Sequence, residues 1–151
     1  MENEEVKEQV LDANDVIDQK LSLNRREWEK KITDVINDMR DMPNMTDVHV
    51  RMLSYRHQLV DQIADFQNKL SKVLYSYELK YKDRFLYYTT AYDVKLTSSE
   101  KEKFIRTDLG KTKIQIQKFE IHVDFYKDCI KTLDNLGFAL KSRMKLHEDG
   151  F

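Results

Sequence analysis

The sequence predicts an all-α, elongated fold: a helical hairpin or bundle with a long C-terminal coiled-coil helix that associates with copies of itself. Three observations lead there. Only three of the 151 residues are glycine and one is proline, too few to punctuate a many-stranded sheet. Charged residues make up 35% and hydrophobic residues 40%, a polar balance suited to helix surface, while seven Phe, eight Tyr and one Trp argue against disorder. Finally, apolar residues recur on steps of three and four along most of the chain. A sandwich, a barrel and a doubly wound α/β fold are excluded on these grounds, and the length suits one domain, or one domain plus a tail.

The elements follow in chain order. Residues 1–23 form an acidic N-terminal segment, and residues 1–18 alone hold seven acids against the single base Lys7, a net −6. The start has no apolar core, so it is not a secretory signal. Residues 24–40 read as a first helix, with Asn24 as N-cap and Trp28, Ile32, Val35, Ile36 and Met39 on one face. Pro43 ends it, because proline disfavours helix at the preceding residue and lacks an amide donor. A second helix is predicted from about Asp47 to Tyr88, with Leu53, Val60, Ile63, Leu70, Leu74, Tyr77, Tyr81 and Tyr88 as its stripe. These two helices make up an N-terminal region, 24–92.

After a polar, β-branched break, Thr97-Ser98-Ser99-Glu100 has the spacing of a capping box and opens a C-terminal region, 97–151. From there Ile105, Leu109, Thr112, Ile116, Phe119, Val123, Tyr126, Ile130, Leu133, Gly137, Leu140 and Met144 alternate steps of four and three without a slip. A seam sustained over more than five heptads predicts one supercoiled helix roughly 60–70 Å long. Two shorter helices would not cover it. Ile116, Phe119, Val123, Tyr126, Ile130, Leu133, Gly137 and Leu140 are therefore expected to meet other copies of the chain.

Catalytic chemistry finds little purchase. His49, His57, His122 and His147 are scattered and make no metal-binding spacing, and Gly110, Gly137 and Gly150 make no phosphate-cradling loop. No nucleophile, base and orienting group can be assembled, so no catalytic residue, metal or cofactor is expected. His122 and Cys129, each one residue before a seam position, read as packing or edge residues. A single cysteine suits a reducing cytosol, and no run of about 18 apolar residues predicts a membrane span.

The charge is unevenly spread. Residues 69–88 hold five bases against two acids and residues 101–118 six against two, so both are basic, at +3 and +4. Six of the eight tyrosines fall between Tyr75 and Tyr92, interleaved with Lys80, Lys82 and Arg84. Aromatic faces stack on unpaired bases while Lys and Arg track phosphates, a combination that suits single-stranded nucleic acid. The competing reading is that Tyr77, Tyr81 and Tyr88 are seam residues whose hydroxyls reach the rim.

Lys82-Asp83-Arg84-Phe85-Leu86-Tyr87-Tyr88 reads Lys-x-Arg-x-x-Tyr-Tyr. It resembles the single-strand DNA-binding motif of the UvsY family of phage recombination mediators. Asp134-Asn135-Leu136-Gly137-Phe138-Ala139-Leu140-Lys141 resembles that family's C-terminal Gly-Phe-Ala-aliphatic-Lys pattern. Ser99-Glu100, Asp108 and Met52-Leu53-Ser54-Tyr55-Arg56 fall in comparable order, so the resemblance covers about residues 50–147. The chain departs from the pattern in its apolar Phe85-Leu86, in Thr89-Thr90 after the motif, and in its acidic N-terminus.

The resemblance implies a ring-like homo-oligomer, a hexamer or heptamer. It would bind single-stranded DNA, loosen a single-strand DNA-binding protein and help load a RecA-like recombinase in the infected host cytoplasm. Lys82 and Arg84 match the motif's DNA-contacting bases and Tyr87 and Tyr88 its aromatic pair, with Lys80 as a basic neighbour. The alternative is a structural coiled-coil adaptor whose tyrosines only pack.

Overall fold

The computed structural model describes residues 13–150. Among them are four α-helices and no strand: α1 (Ala13–Asp38), α2 (Met45–Thr90), α3 (Ser98–Asp108) and α4 (Gly110–Glu148). A 3-10 turn, Met42–Asn44, joins α1 to α2 with Pro43 in its first positions. None of these helices is long and apolar enough to cross a membrane.

The all-helical expectation holds, and three of its details change. First, the chain is already helical at Ala13, so Asn24 lies inside α1 and is not its cap. Its side chain turns inward instead: Oδ1 accepts from the Tyr126 hydroxyl at 2.7 Å and stands 3.0 Å from His122 Nε2. Nothing between residues 13 and 23 breaks a helix, as no Gly or Pro occurs there. The first twelve residues of the acidic segment lie outside the described residues.

Second, the inward face of α2 differs from the predicted stripe in its first half. Met45, Val48, Met52 and Leu59 are buried, whereas Leu53, Val60 and Leu74 are exposed. The helix carries two adjacent apolar rows, and those one residue along stand about 100° away around its axis. The partners decide between the rows. Trp28 lies edge-on to Tyr55 at 5.8 Å and donates from Nε1 to Gln62 Oε1 at 3.0 Å, which fixes the 45–48–52–55–59–62 face inward.

Third, the predicted long C-terminal helix is interrupted at Leu109, between α3 and α4. The bonds Leu109 N–H to Ile105 O (2.9 Å) and Lys113 N–H to Leu109 O (3.0 Å) carry the chain across. Gly110 weakens the helix there, since glycine costs about 1 kcal/mol relative to alanine. The capping box ahead of α3 is present as predicted. Thr97 Oγ1 accepts from Glu100 N–H, and Glu100 Oε2 accepts from Thr97 N–H.

The seam is where packing departs most from expectation. Ile105, Leu109, Ile116, Val123, Tyr126, Leu133 and Leu140 are buried inside a single chain, while Phe119 and Ile130 are half-buried and a Cβ added at Gly137 would stand 3.8 Å from Met52 Cε. The physical reason is the length of α2. Its 46 residues run antiparallel to the 39 of α4, as shown by the pairs Arg56–Asp134 and, further along α2, Phe66–Phe119. α1 lies in the groove between them, parallel to α4: Lys118 pairs with Asp18 near its start, and Arg143 donates to Met39 O near its end. Most of the seam's apolar surface is thus covered within the chain by α1 and α2.

Candidate nucleic-acid interface

Among the described residues there are two apolar cores. The larger, around Trp28, Val35, Leu59, Tyr126, Cys129 and Leu140, joins α1, α2 and α4. Burial and the nearby Arg25 push the His122 pKa down to about 4, so the ring is neutral there. Burial pushes the Cys129 thiol up to about 11, which keeps it protonated. Both are packing residues, in line with their sequence positions.

The smaller core lies at the far end, where Tyr88, Ile105 and Leu109 are buried with Tyr77, Tyr81 and Leu96 against them. Among the described residues, α2, α3, the first turn of α4 and Leu96 of the α2–α3 loop meet there. Tyr88 donates its hydroxyl to Asp108 Oδ2 at 2.6 Å. That bond, with burial and the carboxylate's charge, raises the hydroxyl pKa above its ordinary value. Tyr88 also stacks on Phe104 at 5.5 Å and meets Tyr87 and Tyr92 edge-on. Arg84 Nε lies 3.4 Å from the same Asp108 oxygen. Asp108 therefore ties the motif to the end of α3, a role that its sequence position alone did not reveal.

The five residues singled out for DNA do not act as one patch. On a helix, residues two apart do not share a face, so Lys82 stands about 160° around α2 from both Lys80 and Arg84. Lys80, Arg84 and Tyr87 line one open groove of about 470 Å³ with Asp83, Asp108 and Thr112. Within it the Arg84 guanidinium lies 5.6 Å from the Tyr87 ring centre, and that ring is 41% exposed. Lys82 is exposed on the opposite face, whose spacing it shares with the exposed Tyr75, Leu79 and Leu86. Tyr88 is spent on packing and on Asp108.

Electrostatics separate this end from the rest. Residues 69–118 carry twelve Lys and Arg against six Asp and Glu, a net +6. The whole chain is −1, so everything outside that span sums to −7. A surplus concentrated at one end of a rod attracts polyanions. Among the described residues no three His, Cys, Asp or Glu side chains gather as a metal site requires.

At the other end, Phe138 is 70% exposed beside a groove lined by Met52, Leu53, Leu133 and Gly137. Exposed apolar side chains of this kind mark contact surfaces when they cluster. Comparison of the chain with protein-family models, with curated proteins and with solved structures finds no match.

Proposed function

We propose that this chain is a non-enzymatic, single-strand DNA-binding protein that acts as a recombination mediator. The single observation that carries the DNA reading is the juxtaposition, at the +6 end, of the exposed Lys80 and the exposed Tyr87 ring along one open groove. Lysine supplies a phosphate contact and the ring a stacking surface that tolerates any base. Arg84 contributes from within its pair with Asp108, and Lys82 meets a separate stretch of strand on the opposite face. Displacement of a single-strand binding protein, loading of a RecA-like recombinase and a place in the infected host cytoplasm rest on the resemblance to UvsY proteins.

Self-association remains part of the proposal, through a different surface. With most of the seam covered inside the chain, contacts between copies fall to exposed apolar side chains such as Leu53, Val60 and Phe138. Several weak sites on one assembly raise affinity through effective concentration.

A second reading, a helical adaptor without DNA binding, is favoured by Tyr88 and Arg84, which hold α3 in place. Fluorescence anisotropy separates the two, using labelled oligothymidylate and a duplex of equal length at several salt concentrations. The mediator reading expects tighter binding to the single strand, weakening as salt rises. A folded chain that binds neither at low salt would establish the adaptor.

A further inference from the structure

α2 carries two apolar rows, and the chain uses one of them. The inward row, with Met52 and Leu59, packs into the larger core. The second row steps by sevens from Val50 through His57 and Ala64 to Ser71. Leu53, Val60, Gln67 and Leu74 stand three residues after each of these. All eight are exposed, Leu53 to 55%. Alternating threes and fours over residues 50–74, about 37 Å of helix, make a coiled-coil seam, the first set at a positions and the second at d. Val50 at a with Leu53 at d suits two strands, while His57, Gln67 and Ser71 lower the affinity of the pair.

Both ends of the row are marked. One heptad before Val50 stands Pro43, in the turn ahead of α2. One heptad after Ser71 stands the exposed Glu78, which in a parallel pair would meet its own copy, and the next d residue, Tyr81, packs in the smaller core. The row therefore stops short of Lys80.

Charge decides what lies against it. The g positions beside the row are His49, Arg56, Ile63 and Leu70, and the e positions are Ser54, Asp61, Asn68 and Tyr75. In a parallel, in-register pair each g residue faces the e residue five further along its partner, so Arg56 meets Asp61 of the other copy twice per dimer. In an antiparallel pair g faces g and e faces e, and no register brings opposite charges together. Arg56 gives Nε to Asp134 at 2.9 Å, which leaves its terminal nitrogens for this contact. Asp61, its side chain 67% exposed, stands 3.5 Å from the exposed His57. The row thus complements a second copy of itself.

We propose that two copies of the chain pair in parallel through this row of α2. The inference rests on the self-association proposed above and gives it a surface and a direction. Both basic ends then lie at one pole. Lys80 stands about 120° around α2 from Leu74 and about 180° from Ser71, so the pair leaves both grooves open.

The test uses the full chain carrying Leu53→Cys. Cys129 is buried and its thiol protonated, so it stays out of the exchange. In the parallel pair the two introduced thiols share one layer, within the roughly 6 Å between Cα atoms that a disulfide spans. An antiparallel pair centred on the row sets Leu53 against Ser71, and the thiols stand about 27 Å apart. Mild oxidation should give covalent dimers from Leu53→Cys at least about tenfold faster than from Gln58→Cys, an exposed position about 140° around the helix. Adding Asp61→Arg should raise the dissociation constant measured by sedimentation about tenfold at low salt, and an equimolar mixture with Arg56→Asp should restore it. Equal coupling at the two positions in a chain that still associates overturns this row and leaves self-association to another surface, such as a heterologous ring contact. A chain monomeric at every concentration overturns both. Coupling that Asp61→Arg leaves unchanged overturns the parallel pairing of Arg56 with Asp61.

Discussion

The two ends of the molecule are built to different standards. At one, three helices enclose Trp28, Leu59 and Tyr126 in a continuous apolar core. At the other, α2 and α3 are held by a small core around Tyr88, Ile105 and Leu109, and by Asp108 shared between Tyr88 and Arg84. The first end is close to neutral in its packed elements; the second concentrates the positive charge. The difference teaches how a helical rod divides labour. Stability comes from the layer that α1 completes, and beyond Ala13, among the described residues, α2 and the start of α4 carry exposed polar and aromatic side chains.

The largest expected effect attacks the three-helix end. Trp28 is 1% exposed and bridges Tyr55 and Gln62, so Trp28→Ala should cost about 3–5 kcal/mol. Urea unfolding followed by circular dichroism measures this loss. A cost below about 1 kcal/mol would mean that α1 contributes little to the layer.

Acid should sharpen the same contrast. His122 has its pKa pushed down to about 4 in the fold, against about 6.5 when unfolded. Between those values the unfolded chain takes up a proton that the folded chain refuses. Its contribution to stability is therefore complete above about pH 6.5 and is lost as pH falls toward 4, by on the order of 3 kcal/mol. Unfolding curves at several pH values should show this slope, and His122→Gln should flatten it. An unchanged slope in the variant would place the acid sensitivity elsewhere.

A smaller effect is expected at the two-helix end. Tyr88→Phe removes a hydrogen bond to a carboxylate and leaves Asp108 to Arg84, which should cost about 1–2 kcal/mol. Hydrogen exchange should rise in α3 and the last turns of α2 while α1 stays protected. Uniform loss of protection would mean that both ends unfold as one unit.

Local signals were legible in the sequence. Pro43 ended a helix, Thr97 and Glu100 capped one, and the seam from Ile105 to Met144 marked the face of α3 and α4 that is buried. What covers that face was not legible. The choice of Met52 and Leu59 over Leu53 and Val60 depends on where Trp28 arrives, and Asn24, which reads locally as a cap, lies inside α1 and pairs with Tyr126 a hundred residues away. The candidate site was legible as composition but not as geometry. Lys-x-Arg-x-x-Tyr-Tyr reads as one motif along the chain, yet the helical repeat sends Lys82 to one side and Arg84 to the other, and Asp108 takes Tyr88 out of reach of a base.

The central claim, that the basic two-helix end holds the DNA, is tested most directly by one comparison of salt dependence. Oligothymidylate affinity is measured across salt for the parent, for Lys80→Ala in the groove, and for Lys141→Ala, an exposed lysine at the three-helix end. Each lost phosphate contact should make the slope of log affinity against log salt shallower by about 0.7. The account predicts that shift for Lys80→Ala and a parent slope for Lys141→Ala. A parent slope for a folded Lys80→Ala, or equal shifts in both variants, would contradict it.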